Sequence, residues 1–90
     1  MAENVFIALQ NNQDARPIIE AILEDNEKAV LNESPGMVKI DCPMRLVIKR
    51  ETIEDKIGKE FELQDIHLTL ISLSGNLEED EDELVLQWNF

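Results

Sequence analysis

Between Asn4 and Gln10 the interior positions are all apolar, with Val5, Ile7 and Leu9 alternating against Phe6 and Ala8. A run this short, apolar on both alternating sets, predicts a strand covered on both faces. The polar triplet Asn11-Asn12-Gln13 ends it. Beyond it the spacing changes: Ile18, Ile19, Ile22 and Leu23 fall on one helical stripe, and Pro17 sits in a first turn where its missing N–H costs nothing. With Asp14 offering an N-cap oxygen, the pattern predicts a helix that ends near Asn26.

Two short runs follow, Ala29 to Asn32 and Met37 to Asp41, separated by Ser34-Pro35-Gly36. Proline presets one turn dihedral and glycine permits positive φ, so a hairpin is expected. Pro43 should break the ladder after Cys42, and Leu46 to Ile48 supply another strand before the charged corner Lys49-Arg50-Glu51. Thr52-Ile53-Glu54-Asp55 fits a capping pattern for a short helix that turns Ile53 and Ile57 to the core and stops at Gly58.

Phe61 and Leu63 lead through a possible helical turn at Glu62 to Asp65. Ile66, Leu68 and Leu70 then alternate with His67 and Thr69, which predicts a strand from Ile66 to Leu73. Ser74-Gly75-Asn76 opens a loop. The six consecutive acids Glu78 to Glu83 repel one another and require solvent. Leu84, Leu86 and Trp88 alternate with Val85 and Gln87 in a final strand, expected to lie antiparallel to the one ending at Leu73. The fold class that results is α+β: a single compact domain of about six mainly antiparallel strands with two or three short helices.

Composition narrows what such a domain can do. At 90 residues and 43% hydrophobic content there is room for one core, and with aromatic residues at only 4% that core is aliphatic. The net charge of -12 opposes nucleic acid and anionic lipid surfaces and favours a basic protein surface as partner. No apolar run approaches the roughly 18 residues of a membrane span, and residues 1 to 15 lack the pattern of a signal peptide, so a cytoplasmic location is expected.

Residues able to carry chemistry are few. His67 is the one histidine and Cys42 the one cysteine, which leaves a zinc site short of ligands. Cys42 has no evident group to lower its pKa, so packing is its expected role. The acidic run lacks the spaced ligands and central glycine of a calcium loop, and reads as a solvated loop or a patch that steers association. Met37 and Met44 fit either an adaptable binding surface or gaps in the core. Arg45, Lys49 and Arg50 interrupt the acidic surface, either pairing with Glu51 or Glu54 or touching a partner. No nucleophile with a base, metal cluster or nucleotide loop is present, so the chain is expected not to be an enzyme and to need no cofactor.

Three stretches, FIALQNNQDARPIIEAI, PGMVKIDCPMRLVIKRETIEDKIGKEFELQDI and LTLISLSGNLEEDEDELVLQW, together resemble the regulatory component of bacterial phenol hydroxylases. That component belongs to the coupling, or effector, proteins of the soluble diiron monooxygenases that oxidise methane, toluene and phenol. The resemblance implies that residues 1–90 form one effector domain, cofactor-free and without catalytic residues. It implies docking on the diiron hydroxylase component of a phenol monooxygenase, where the domain adjusts oxygen activation, substrate access and electron input. It also implies an interface in the segment after Gly58-Lys59-Glu60-Phe61, and so names Thr69, Ile71, Ser72 and Leu73 as partner-binding residues. Methane-type relatives carry mostly small polar residues there, whereas Ile71 and Leu73 are bulky and apolar. A different reading, a generic acidic module for some other basic protein, shares the same compositional features.

Overall fold

The computed structural model describes residues 4–88. The order is β1 (Asn4–Gln10), α1 (Arg16–Asp25), β2 (Val30–Ser34), β3 (Met37–Pro43), β4 (Arg45–Lys49), α2 (Arg50–Ile57), a 3-10 helix (Leu63–Leu68), β5 (Leu70–Ser74), β6 (Asn76–Glu79) and β7 (Glu83–Gln87). The α+β class holds, with seven strands among the described residues, paired antiparallel in two sheets ordered β2-β3-β1-β5 and β4-β7-β6.

β1 is flanked by β3 and β5, and residues of both its alternating sets are covered: Val5, Ile7, Ala8 and Leu9 are all buried. The half-buried Phe6 takes the Lys39 ammonium over its ring, 4.4 Å from the centroid. α1 packs against α2 and β4. Its buried Ile18, Ile19, Ala21 and Ile22 join Ile40, Leu46, Ile48, Ile53, Leu84 and Leu86 in one aliphatic cluster.

The end of α1 is fastened to β4 by a side chain acting as a strand. Asn26, almost fully buried, donates from Nδ2 to the carbonyls of Ile22 (2.8 Å) and Val47 (2.6 Å), and its Oδ1 accepts from Val47 N–H (2.9 Å). The β4 edge therefore has its central backbone groups satisfied where no neighbouring strand reaches them.

The two sheets are joined by two corners, each with positive φ. β3 passes to β4 through Met44 (φ 66), and β5 passes to β6 through Gly75 (φ 127). In one sheet β3 and β5 flank β1, and in the other β4 and β6 flank β7, so the two corners lie on opposite sides of the central strands. Trp88 Nε1–H donates to the Asn4 carbonyl at 3.0 Å and ties the two central strands at this end.

Several local expectations need correcting. Asp14 is not the N-cap of α1: Ala15 precedes the helix in a helical conformation, and Asn12 Oδ1 accepts from its N–H at 2.9 Å. Thr52 is a buried residue inside α2, which starts earlier because Arg50 N–H already finds the Asp82 carbonyl at 2.9 Å. Pro43 remains in the ladder as its last position, opposite Asn4. Gly58 does end α2, with φ 83 and its N–H donating to the Glu54 carbonyl at 2.7 Å.

The larger corrections lie in the second half. Ile66 to Leu68 belong to the 3-10 helix and the strand begins only at Leu70. In a helix of about three residues per turn, Leu63 and Ile66 share one buried face while Leu68 faces out. Asn76 to Glu79, expected as loop, is strand β6, and the acidic run is split between β6, a turn and the start of β7. The final strand pairs with β4 and β6, not with the strand ending near Leu73, because Gly75 has already moved the chain to the other sheet.

A candidate docking surface on an edge strand

β5 has one strand neighbour, β1, and forms one edge of its sheet. The register runs Ile7 to Leu73 and Ala8 to Ser72, then slips so that Leu9 faces Leu70. Ile71 is left without a partner residue, the extra position of a β-bulge. Bulges bend an edge and re-aim the side chain that they carry, and they discourage the pairing of one edge with another. Ile71 is accordingly 48% exposed, a high value for a branched aliphatic residue in a strand.

The four residues named from sequence have different surroundings. Ile71 and Ser72 are exposed. Leu73 is half-buried against the core cluster. Thr69 is half-buried as well: its hydroxyl donates to the Ile66 carbonyl at 3.2 Å, its N–H to the same carbonyl at 3.0 Å, and its own carbonyl accepts from Gln10 N–H at 2.8 Å. Thr69 thus closes the 3-10 helix and starts the pairing with β1, so its hydroxyl is engaged internally.

Next to β5 lies a surface feature that sequence reading missed. Leu68 is 76% exposed and stands beside an open cleft of ≈ 360 Å³ between the start of α1, the end of α2 and the 3-10 helix. Ile66, Leu68 and Leu70 are spaced by two and so predict a strand through Leu68. The spacing of three between Leu63 and Ile66 was the signal for the alternative.

The acidic tip is ordered by its own backbone. The Asp80 carboxylate accepts from Asp82 N–H and Glu83 N–H, both at 2.8 Å, and Glu83 then Asp82 hold its carboxyl below the usual range. Arg50 bridges this turn to α2, at 3.2 Å from Asp82 and 3.8 Å from Glu54. His67, exposed, is hydrogen-bonded to Glu79 of β6. Arg45 and Lys49 make no ion pair among the described residues. Cys42 is buried in the core, and burial pushes its thiol up from the ordinary value, against a smaller lowering effect of Lys28. Among the described residues no three His, Cys, Asp or Glu side chains gather as a metal site. Among the described residues no helix is long and apolar enough to cross a membrane.

The result is a small acidic domain with an apolar bulge on one edge. Comparison with known proteins gives it a lineage. Residues 3–87 match the model of the MmoB/DmpM family. The chain belongs to that family. Among MmoB/DmpM relatives, the stimulatory component DmpM of phenol 2-monooxygenase from Pseudomonas sp. (strain CF600) is 41% identical over 88 residues, 98% of either chain. A chain solved in a phenol hydroxylase–regulatory protein complex is 42% identical, with a TM-score of 0.93 over 97% of this chain and 100% of its own. A second chain from such a complex gives 40% identity and a TM-score of 0.89, covering 96% and 100%. The regulatory protein B of soluble methane monooxygenase shares the fold at 15% identity, with a TM-score of 0.75 over 96% of this chain and 65% of its own.

Proposed function

We propose that this chain is the regulatory, non-catalytic subunit of a multicomponent phenol or related aromatic monooxygenase, acting in the cytoplasm as a single effector domain. It binds the diiron hydroxylase component and modulates oxygen activation, substrate access and electron transfer. The observation that carries this reading is likeness along the whole chain to a stimulatory component, together with the same fold in a relative solved with phenol hydroxylase.

The physical task is modest. A coupling energy of about 1 to 3 kcal/mol changes an equilibrium roughly 5 to 150-fold, so docking has only to favour one hydroxylase conformation over another. That requires contacts made in one state and not in the other. Exposed Ile71 and Ser72 are suited to direct contact, while Thr69 and Leu73 hold the strand that presents them. The charge of -12 adds long-range attraction to a basic surface, so binding weakens as salt rises.

Binding to the purified hydroxylase component, measured by calorimetry at several salt concentrations, tests this reading. A saturable complex whose affinity falls with salt is expected. Absence of binding to the cognate hydroxylase at low salt would point instead to a generic acidic module.

A further inference from the structure

We propose that the cleft beside Leu68 is a second docking element, which receives a bulky apolar side chain from a hydroxylase segment that also carries a basic residue. This inference rests on the proposed role as a hydroxylase-binding subunit. The largely buried Ile18 and the half-buried Ile57 and Phe61 give the cleft an apolar base, and Leu68 and Thr69 form one side.

Three features select this occupant. First, the cleft is continuous with the bulged strand: Thr69 belongs to both, and Leu68 precedes Ile71 by three residues, at most roughly 10 Å of backbone. A partner that covers Ile71 is therefore within reach of Leu68. Second, the charged residues around the cleft are Asp14, Asp65 and Lys59, two acids to one base on a strongly acidic protein, which complements a basic flank on the incoming segment. Third, the cleft has no buried, convergent polar groups of the kind that orient a small ligand, and its ≈ 360 Å³ is near the lower limit of the roughly 300 to 1,000 Å³ typical of ligand pockets. Interfaces draw most of their affinity from a few large anchor side chains, often aromatic or arginine, seated in such recesses. A second copy of this chain is disfavoured at the adjoining edge, because the bulge at Ile71 interrupts strand-to-strand pairing.

Full-length Leu68→Glu and Leu68→Met variants, with wild type, test this by calorimetric Kd for the hydroxylase and by sedimentation of the free proteins. Leu68 is so exposed that both variants should melt like wild type. The expected result is a Kd raised about tenfold or more by Leu68→Glu and nearly unchanged by Leu68→Met. Tight wild-type binding with an unchanged Kd for Leu68→Glu overturns the cleft proposal and leaves the regulatory role standing. Self-association lost in Leu68→Glu, with hydroxylase affinity intact, assigns the cleft to a second copy and overturns it too. If wild type itself does not bind the hydroxylase, the regulatory reading fails and the cleft proposal fails with it.

Discussion

Gly75 lies so close over Val5 that a methyl group at its Cα would stand 2.8 Å from Val5 Cγ1. With φ at +127, the position also demands a backbone conformation that side chains rarely adopt. The contact matters because Gly75 is the corner through which the chain leaves β5 for the other sheet. Gly75→Ala should destabilise the protein by about 2 kcal/mol or more in urea unfolding. Adding Val5→Ala should relieve the clash, so that the double variant loses less than the sum of the two single losses. Strict additivity would mean that backbone conformation alone sets the cost.

A comparable prediction concerns Asn26, which fastens the end of α1 to β4. Asn26→Asp keeps the shape and the acceptor for Val47 N–H, but removes the donor to the Ile22 and Val47 carbonyls and places a charge among them. The loss expected is about 2 to 3 kcal/mol, with an unchanged urea m-value. A loss below about 0.5 kcal/mol would show that the two donated hydrogen bonds contribute little to stability.

The buried Cys42 thiol is raised above its ordinary 9.0, so the folded chain holds this proton to higher pH than the unfolded chain does. Its contribution is therefore constant at neutral pH and falls as pH climbs through 9.0 and beyond. At pH 8 a thiol reagent should label the native protein slowly and the urea-unfolded protein at once. Rapid native labelling would place the sulfur at the surface.

Ile71 and Leu73 should respond differently to the same charge. Ile71→Asp places a carboxylate on an exposed bulge, and should weaken hydroxylase binding with a melting temperature close to wild type. Leu73→Asp puts one against the core opposite Ile7, and should cost about 2 kcal/mol or more of stability. Equal effects of the two on stability, with no effect of Ile71→Asp on binding, would remove β5 from the interface.

The first half of the chain was legible because each element carries its own pattern and punctuation: β1 as a short continuous apolar run, α1 with Pro17 and its isoleucine stripe, the hairpin at Pro35-Gly36. Ile66 to Leu70 misled because a short 3-10 helix leading into a strand imitates alternation. Asn76 to Glu79 hid as a strand because Leu77 is its one apolar residue, and its strand character comes from hairpin pairing with β7 rather than from its own composition. The strand proposed to dock was named from resemblance, and the bulge that exposes Ile71 is a property of register that depends on β1. The cleft was not legible at all, since its residues come from α1, α2 and the 3-10 helix, which meet only in the folded protein.

The most direct measurement is steady-state phenol oxidation by the cognate hydroxylase and reductase as this protein is titrated to stoichiometric excess. The account predicts a saturable rise in product formed per electron pair consumed. Unchanged rate, coupling and product distribution across the titration would contradict it.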